Sequence, residues 1–84
     1  MKDAVADVLI GDASTREVFD VIHDRRKIRH VDLTNASTAE NVKHAVPLLK
    51  RANLIQERGA LSSRSYIVTK NGLSAYRWLD RKLK

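Results

Sequence analysis

The residues able to do chemistry in this chain are three histidines, a scatter of hydroxyls and carboxylates, and a large excess of cations. His23, His30 and His44 lie far apart, and the chain has no cysteine. Zinc sites draw on closely spaced histidines and thiolates, so no metal centre is expected. Serine, histidine and aspartate are all present, but no Gly-x-Ser-x-Gly elbow holds a nucleophile on a strained turn. No glycine-rich loop is available to cradle a phosphate. A chain of 84 residues also leaves little room for both a core and a buried substrate pocket. The chain reads as a non-enzyme, with no cofactor and no small-molecule ligand expected.

The cations carry the informative signal. The formal net charge is +6, from sixteen lysines and arginines against ten acids. Residues 1–24 hold only Lys2 and Arg16 against six acids, whereas residues 25–84 hold fourteen cations against four acids. Such asymmetry points to a polyanionic partner for the later part of the chain. Merely soluble basic proteins that adhere to nucleic acid without specificity share the same composition. No apolar run is long enough to span a bilayer, and the acids near the N-terminus do not suit a signal peptide. A location in the cytoplasm is expected, with no membrane partner.

The elements that must position these cations follow from periodicity. Ala4, Val5, Val8 and Leu9 are spaced as one face of a short helix that Gly11 ends. Ser14-Thr15-Arg16-Glu17 has the form of a capping box, and Val18, Phe19 and Ile22 follow as a buried stripe. That helix should run to about 24–27. A short extended piece near Ile28 and a short helix over about 31–36 come next. Ser37-Thr38-Ala39-Glu40 is a second capping-box pattern, followed by Val42, Ala45, Val46, Leu49 and Ala52 at helical intervals. Pro47 falls inside this helix and should kink it. Residues 54–58 and 65–69 are strand-like and read as a β-hairpin. From Lys70 a last helix presents Leu73, Tyr76, Leu79 and Leu83 on one face, with Trp78 one position off it.

The order is helix, short strand, short helix, capped helix, hairpin, helix. From Ser14 to about Leu79 it resembles the winged helix-turn-helix domains of MarR- and ArsR-like prokaryotic transcriptional regulators. The resemblance is carried by Val31-Asp32-Leu33 as the opening of the motif's first helix. Thr38-Ala39-Glu40-Asn41-Val42 is similar to the start of a recognition helix. Leu48-Leu49-Lys50-Arg51-Ala52-Asn53-Leu54-Ile55 is similar to the junction into the wing, and Thr69-Lys70-Asn71-Gly72-Leu73 to the wing's end. The span from Asp32 to Val42 is shorter than is usual in such motifs, so a tight turn is expected between the helices.

The resemblance implies a mostly helical α+β fold: a three-helix core plus a β-hairpin wing over 14–69, flanked by an N-terminal helix (1–11) and a C-terminal helix (70–84), all in one domain. It implies double-stranded DNA binding and transcription regulation, with the helix of about 38–52 in the major groove, which admits one helix. Thr38, Asn41, Lys43 and His44 avoid the apolar face of that helix and are the candidate base readers; a merely solvated face is the alternative. Arg58 and Arg64 flank the hairpin loop and would meet the minor groove or backbone, since narrow minor grooves attract arginine. Arg25, Arg26, Lys27 and Arg29 would contact phosphate, or else serve a solvated helix end.

The flanking helices carry apolar stripes, and a homodimer would match two half-sites about one helical turn apart. The rival reading is a winged-helix adaptor whose exposed faces meet protein within a larger complex. RNA or single strands are disfavoured, because Phe19, Tyr66, Tyr76 and Trp78 do not form a stacking platform. In such a regulator the location would be the nucleoid of a prokaryotic cell.

Overall fold

The computed structural model describes residues 8–60 and 63–83. Residues 8–10 are helical; the earlier part of the predicted N-terminal helix, the loop residues Leu61 and Ser62, and the side chain of Leu83 lie outside the described residues. Helix α1 spans Ala13–Arg25, strand β1 Lys27–Arg29, helix α2 His30–Ala36 and helix α3 Ala39–Arg51. Strands β2 (Ile55–Arg58) and β3 (Ser65–Val68) and helix α4 (Lys70–Leu83) complete the order. The result is a mostly helical α+β globule with a three-stranded antiparallel sheet ordered β1-β3-β2.

Both capping boxes are displaced from where the sequence puts them. Asp12, not Ser14, caps α1, its Oδ1 accepting from the Thr15 amide at 3.2 Å. Gly11 breaks the preceding turn, and a carboxylate next to the positive end of a helix gains from its dipole, so the helix starts ahead of the serine. Ser14 then lies inside the first turn, and Arg16 reaches back to the carbonyls of Leu9 and Ile10. At α3 the cap is Thr38, whose Oγ1 accepts from the Asn41 amide at 3.1 Å. Ser37 and Glu40 are therefore not the reciprocal pair.

The apolar stripes of α1 and α3 are buried as their periodicity requires: Val18, Phe19 and Ile22 on one, Val42, Ala45, Val46 and Leu49 on the other. The two helices pack principally on each other. Pro47 sits within a helix that is continuous from Ala39 to Arg51, where it withholds the amide that the Lys43 carbonyl would accept. The helix ends in a Schellman motif: Asn53 adopts φ 62°, its amide donates to Lys50 O, and the Leu54 amide donates to Leu49 O, each at 3.0 Å.

The hairpin forms as predicted, with Ile55 opposite Val68 and Arg58 opposite Ser65. The extended piece at Ile28 does more than expected, because β1 joins β3 as a third strand, with Ile28 opposite Tyr66. β3 is thus central and buries Tyr66 and Val68. Helix α4 starts at Thr69, whose Oγ1 accepts from Gly72 N at 2.9 Å and donates to Asn53 O at 2.7 Å. Its buried side departs from the predicted stripe: Gly72, Ala75 and Leu79 are buried, with Leu73, Tyr76 and Trp78 half-buried beside them. Small residues mark the line of closest approach, which a search for large apolar residues overlooks.

Candidate nucleic-acid interface

The two-residue turn Ser37–Thr38 sets α3 directly after α2, and both helices stand beside the sheet. The outer side of α3 is the face opposite α1. Ala39, Lys43, Pro47 and Lys50 fall on it at three- and four-residue intervals and are exposed. Thr38 and Glu40 are also exposed at the helix start, and Asn41 is half-buried.

The eight candidate residues do not form one patch. Thr38, Asn41 and Lys43 remain together at the beginning of α3. His44 turns the other way, toward α1, where its Nε2 lies 2.5 Å from Asp12 Oδ2. That contact holds the Asp12 carboxyl below its ordinary range, first through the His44 hydrogen bond and then through the Thr15 amide. His44 therefore ties the start of α1 to α3. Arg26 takes a left-handed conformation at the end of α1, with φ 64°. Its guanidinium donates to His23 O at 2.7 Å and meets His23 Nε2 at 3.0 Å, the solvated helix-end role. Arg29 pairs with Asp32 at 3.1 Å, both side chains partly open to solvent. Arg25 and Lys27 are exposed.

The two hairpin arginines separate as well. Arg58 is exposed at the end of β2. Arg64 is half-buried and turns into a cleft of about 480 Å³ between α2, α3 and the sheet. Lys43, Val46 and Pro47 form the α3 wall of that cleft, and His30, Thr34 and Tyr66 line the opposite side. A hydrogen bond of 2.8 Å joins the Tyr66 hydroxyl and His30 Nδ1. Burial pushes the Tyr66 hydroxyl above its usual range, against the opposing effect of Arg64. Two buried polar atoms on the lining residues, Arg64 Nε and Thr34 Oγ1, have no hydrogen-bond partner. Lys50 is linked to Glu57 at 3.6 Å across the cleft's lower edge.

Sequence reasoning missed His30, Thr34, Lys50 and Tyr66 as members of this surface. The Lys43/Pro47/Lys50 spacing signals a shared helix face, but nothing local shows that a strand arginine faces it. Among the described residues no three of His, Asp and Glu are grouped to hold a metal ion, and no helix is long and apolar enough to cross a membrane. No protein-family model matches the chain, and no curated protein or solved structure matches it.

Proposed function

We propose that this chain is a winged helix-turn-helix domain that binds double-stranded DNA and acts as a transcriptional regulator. The observation that carries the reading is the outer face of α3, whose capped N-terminus and Lys43 stand free beside a hairpin ending in exposed Arg58. A helix presented in this way fits a major groove, with side chains of its first turns reaching base edges. Thr38, Asn41 and Lys43 are the readers in this scheme, and Arg58 meets the flanking backbone or minor groove. Glu40 beside them can accept from a cytosine amino group. His44, Arg26 and Arg29 act from behind, by fixing the ends of α1 and α2.

The partly exposed apolar residues near the start, such as Ile10 at 44%, support pairing of two copies through the N- and C-terminal helices. Sedimentation of the full chain at a range of concentrations tests that pairing.

DNA binding is tested by fluorescence anisotropy on a labelled random-sequence duplex across a salt series. Affinity should fall steeply with salt, since released counterions drive phosphate binding. The double variant Lys43→Glu, Arg58→Glu should bind at least ~10-fold more weakly, each reversed cation forfeiting its phosphate or base contact. Absence of binding even at low salt rejects the reading and favours the protein-adaptor role.

A further inference from the structure

The cleft between α2, α3 and the sheet combines three features that a purely structural hollow does not need. Its α3 wall is aliphatic, formed by Val42, Val46 and Pro47. Cations stand around it, Lys43 and Arg64 being without acid partners, while the lining acid Glu57 is already paired with Lys50. Two buried groups on its lining residues, Arg64 Nε–H and the Thr34 hydroxyl, make no hydrogen bond. A helical threonine ordinarily returns its proton to the carbonyl one turn back, and a buried guanidinium N–H left unpaired is costly. Both groups are satisfied by an acceptor placed between them.

We propose that this cleft binds a small organic monoanion: one carboxylate on a compact apolar body. The carboxylate meets Arg64 in the planar, paired geometry that guanidinium favours, with Thr34 donating to it and Lys43 adding charge. The apolar body lies on Val42, Val46 and Pro47. A metal cation is disfavoured by the surplus of positive charge. A bare phosphate would leave the aliphatic wall wet, and a DNA backbone, which is a broad convex ridge, cannot fill a concave hollow. Because Lys43 belongs both to this cleft and to the proposed DNA face, an occupied cleft competes with duplex. That competition rests on the DNA reading; the binding itself does not.

The test therefore uses the full chain without DNA. Cyclohexanecarboxylate is titrated while backbone amide shifts are followed by NMR, with cyclohexanecarboxamide and inorganic phosphate as parallel titrants. The expected result is a saturable shift concentrated at Thr34, Lys43, Val46 and Arg64, with the neutral amide and phosphate each binding at least ~10-fold more weakly, the cost of losing one charge-assisted contact. Arg64→Gln should weaken the carboxylate by a similar factor. Thr34→Val, which keeps the side-chain shape, should weaken it less and serves as the second variant if Arg64→Gln fails to fold. Equal binding of the carboxamide, equal binding of phosphate, or shifts scattered away from the cleft would each overturn the proposal. A chain that binds the carboxylate but no duplex keeps this site and loses the DNA reading; the converse removes the site alone.

Discussion

Asp20, His23 and Tyr76 show how single side chains bind α4 to α1. The Tyr76 ring stacks on the His23 imidazole, centroids 3.5 Å apart and 6° from parallel, and its hydroxyl donates to Asp20 Oδ1 at 2.6 Å. A phenolate there would face the Asp20 carboxylate, so the hydroxyl is pushed up to about 12, mainly by that hydrogen bond and then by burial. With the folded value above the usual 10.0, its contribution to stability is complete below pH 10.0 and disappears as pH rises through about 12. Tyr76→Phe should lower stability by about 1 kcal/mol or less at pH 7, as expected for one exposed hydrogen bond, and should flatten the alkaline limb of a Tm–pH profile. His23 is displaced in the opposite sense: burial first, then the Arg26 charge, hold it below its usual 6.5. The folded chain favours neutral imidazole, so this contribution is complete above pH 6.5 and is lost as pH falls from there toward the lowered folded value. His23→Phe keeps the stack and removes the proton. Its Tm should fall less than that of the parent between pH 7 and pH 5, measured by circular dichroism; an unchanged slope would show that His23 does not titrate against folding.

At the scale of elements, the tightest join is where α4 meets the junction of α3 and β2. A Cβ placed on Gly72 would lie 2.2 Å from Leu54 O and 2.6 Å from Val68 Cγ2. Neither the backbone carbonyl nor the buried valine has room to yield, so Gly72→Ala should destabilise by about 1–3 kcal/mol, the usual cost of overpacking, read as a lower denaturant midpoint. Pro47→Ala should act the other way, by up to ~3 kcal/mol, because it restores the donor for the Lys43 carbonyl in an exposed helix position. These joins also show where a linear text is informative. The α1 and α3 stripes repeat apolar residues at helical intervals, and β3 is rich in β-branched and aromatic residues, so those elements are legible locally. Strand β1 has only three residues and a single buried one, Ile28, too little to reveal that it pairs with β3. The displaced caps had competing acceptors side by side, and only the turn geometry chooses between Asp12 and Ser14. The candidate surface was legible as far as Thr38, Asn41 and Lys43, which share one helix start. The turning of His44 to Asp12 and of Arg64 into the cleft depends on contacts between distant parts of the chain, which periodicity does not encode.

For the whole molecule, the uneven charge becomes a question of sides. Glu17 lies on α1 opposite its buried stripe of Thr15, Val18, Phe19 and Ile22, and α3 packs on the buried side. The acidic surface of α1 and the outer face of α3 are thus turned away from each other across a body measuring 35 × 23 × 20 Å. Screening falls off over about 8 Å at physiological salt, so a charge on the far side of α1 contributes little to a duplex held against α3. This separates a built interface from generalised attraction between a +6 protein and a polyanion. Glu17→Lys and Lys43→Glu change the net charge by the same amount in opposite directions. If the duplex lies on α3, Lys43→Glu should weaken binding by ~10-fold or more, the scale of one lost base contact. Glu17→Lys should then strengthen binding no more than ~2-fold at 0.15 M salt. Anisotropy titrations of both variants on one duplex give the comparison directly. Equal and opposite changes would mean that the chain is held by its total charge, without an oriented face, and would remove α3 as the reader.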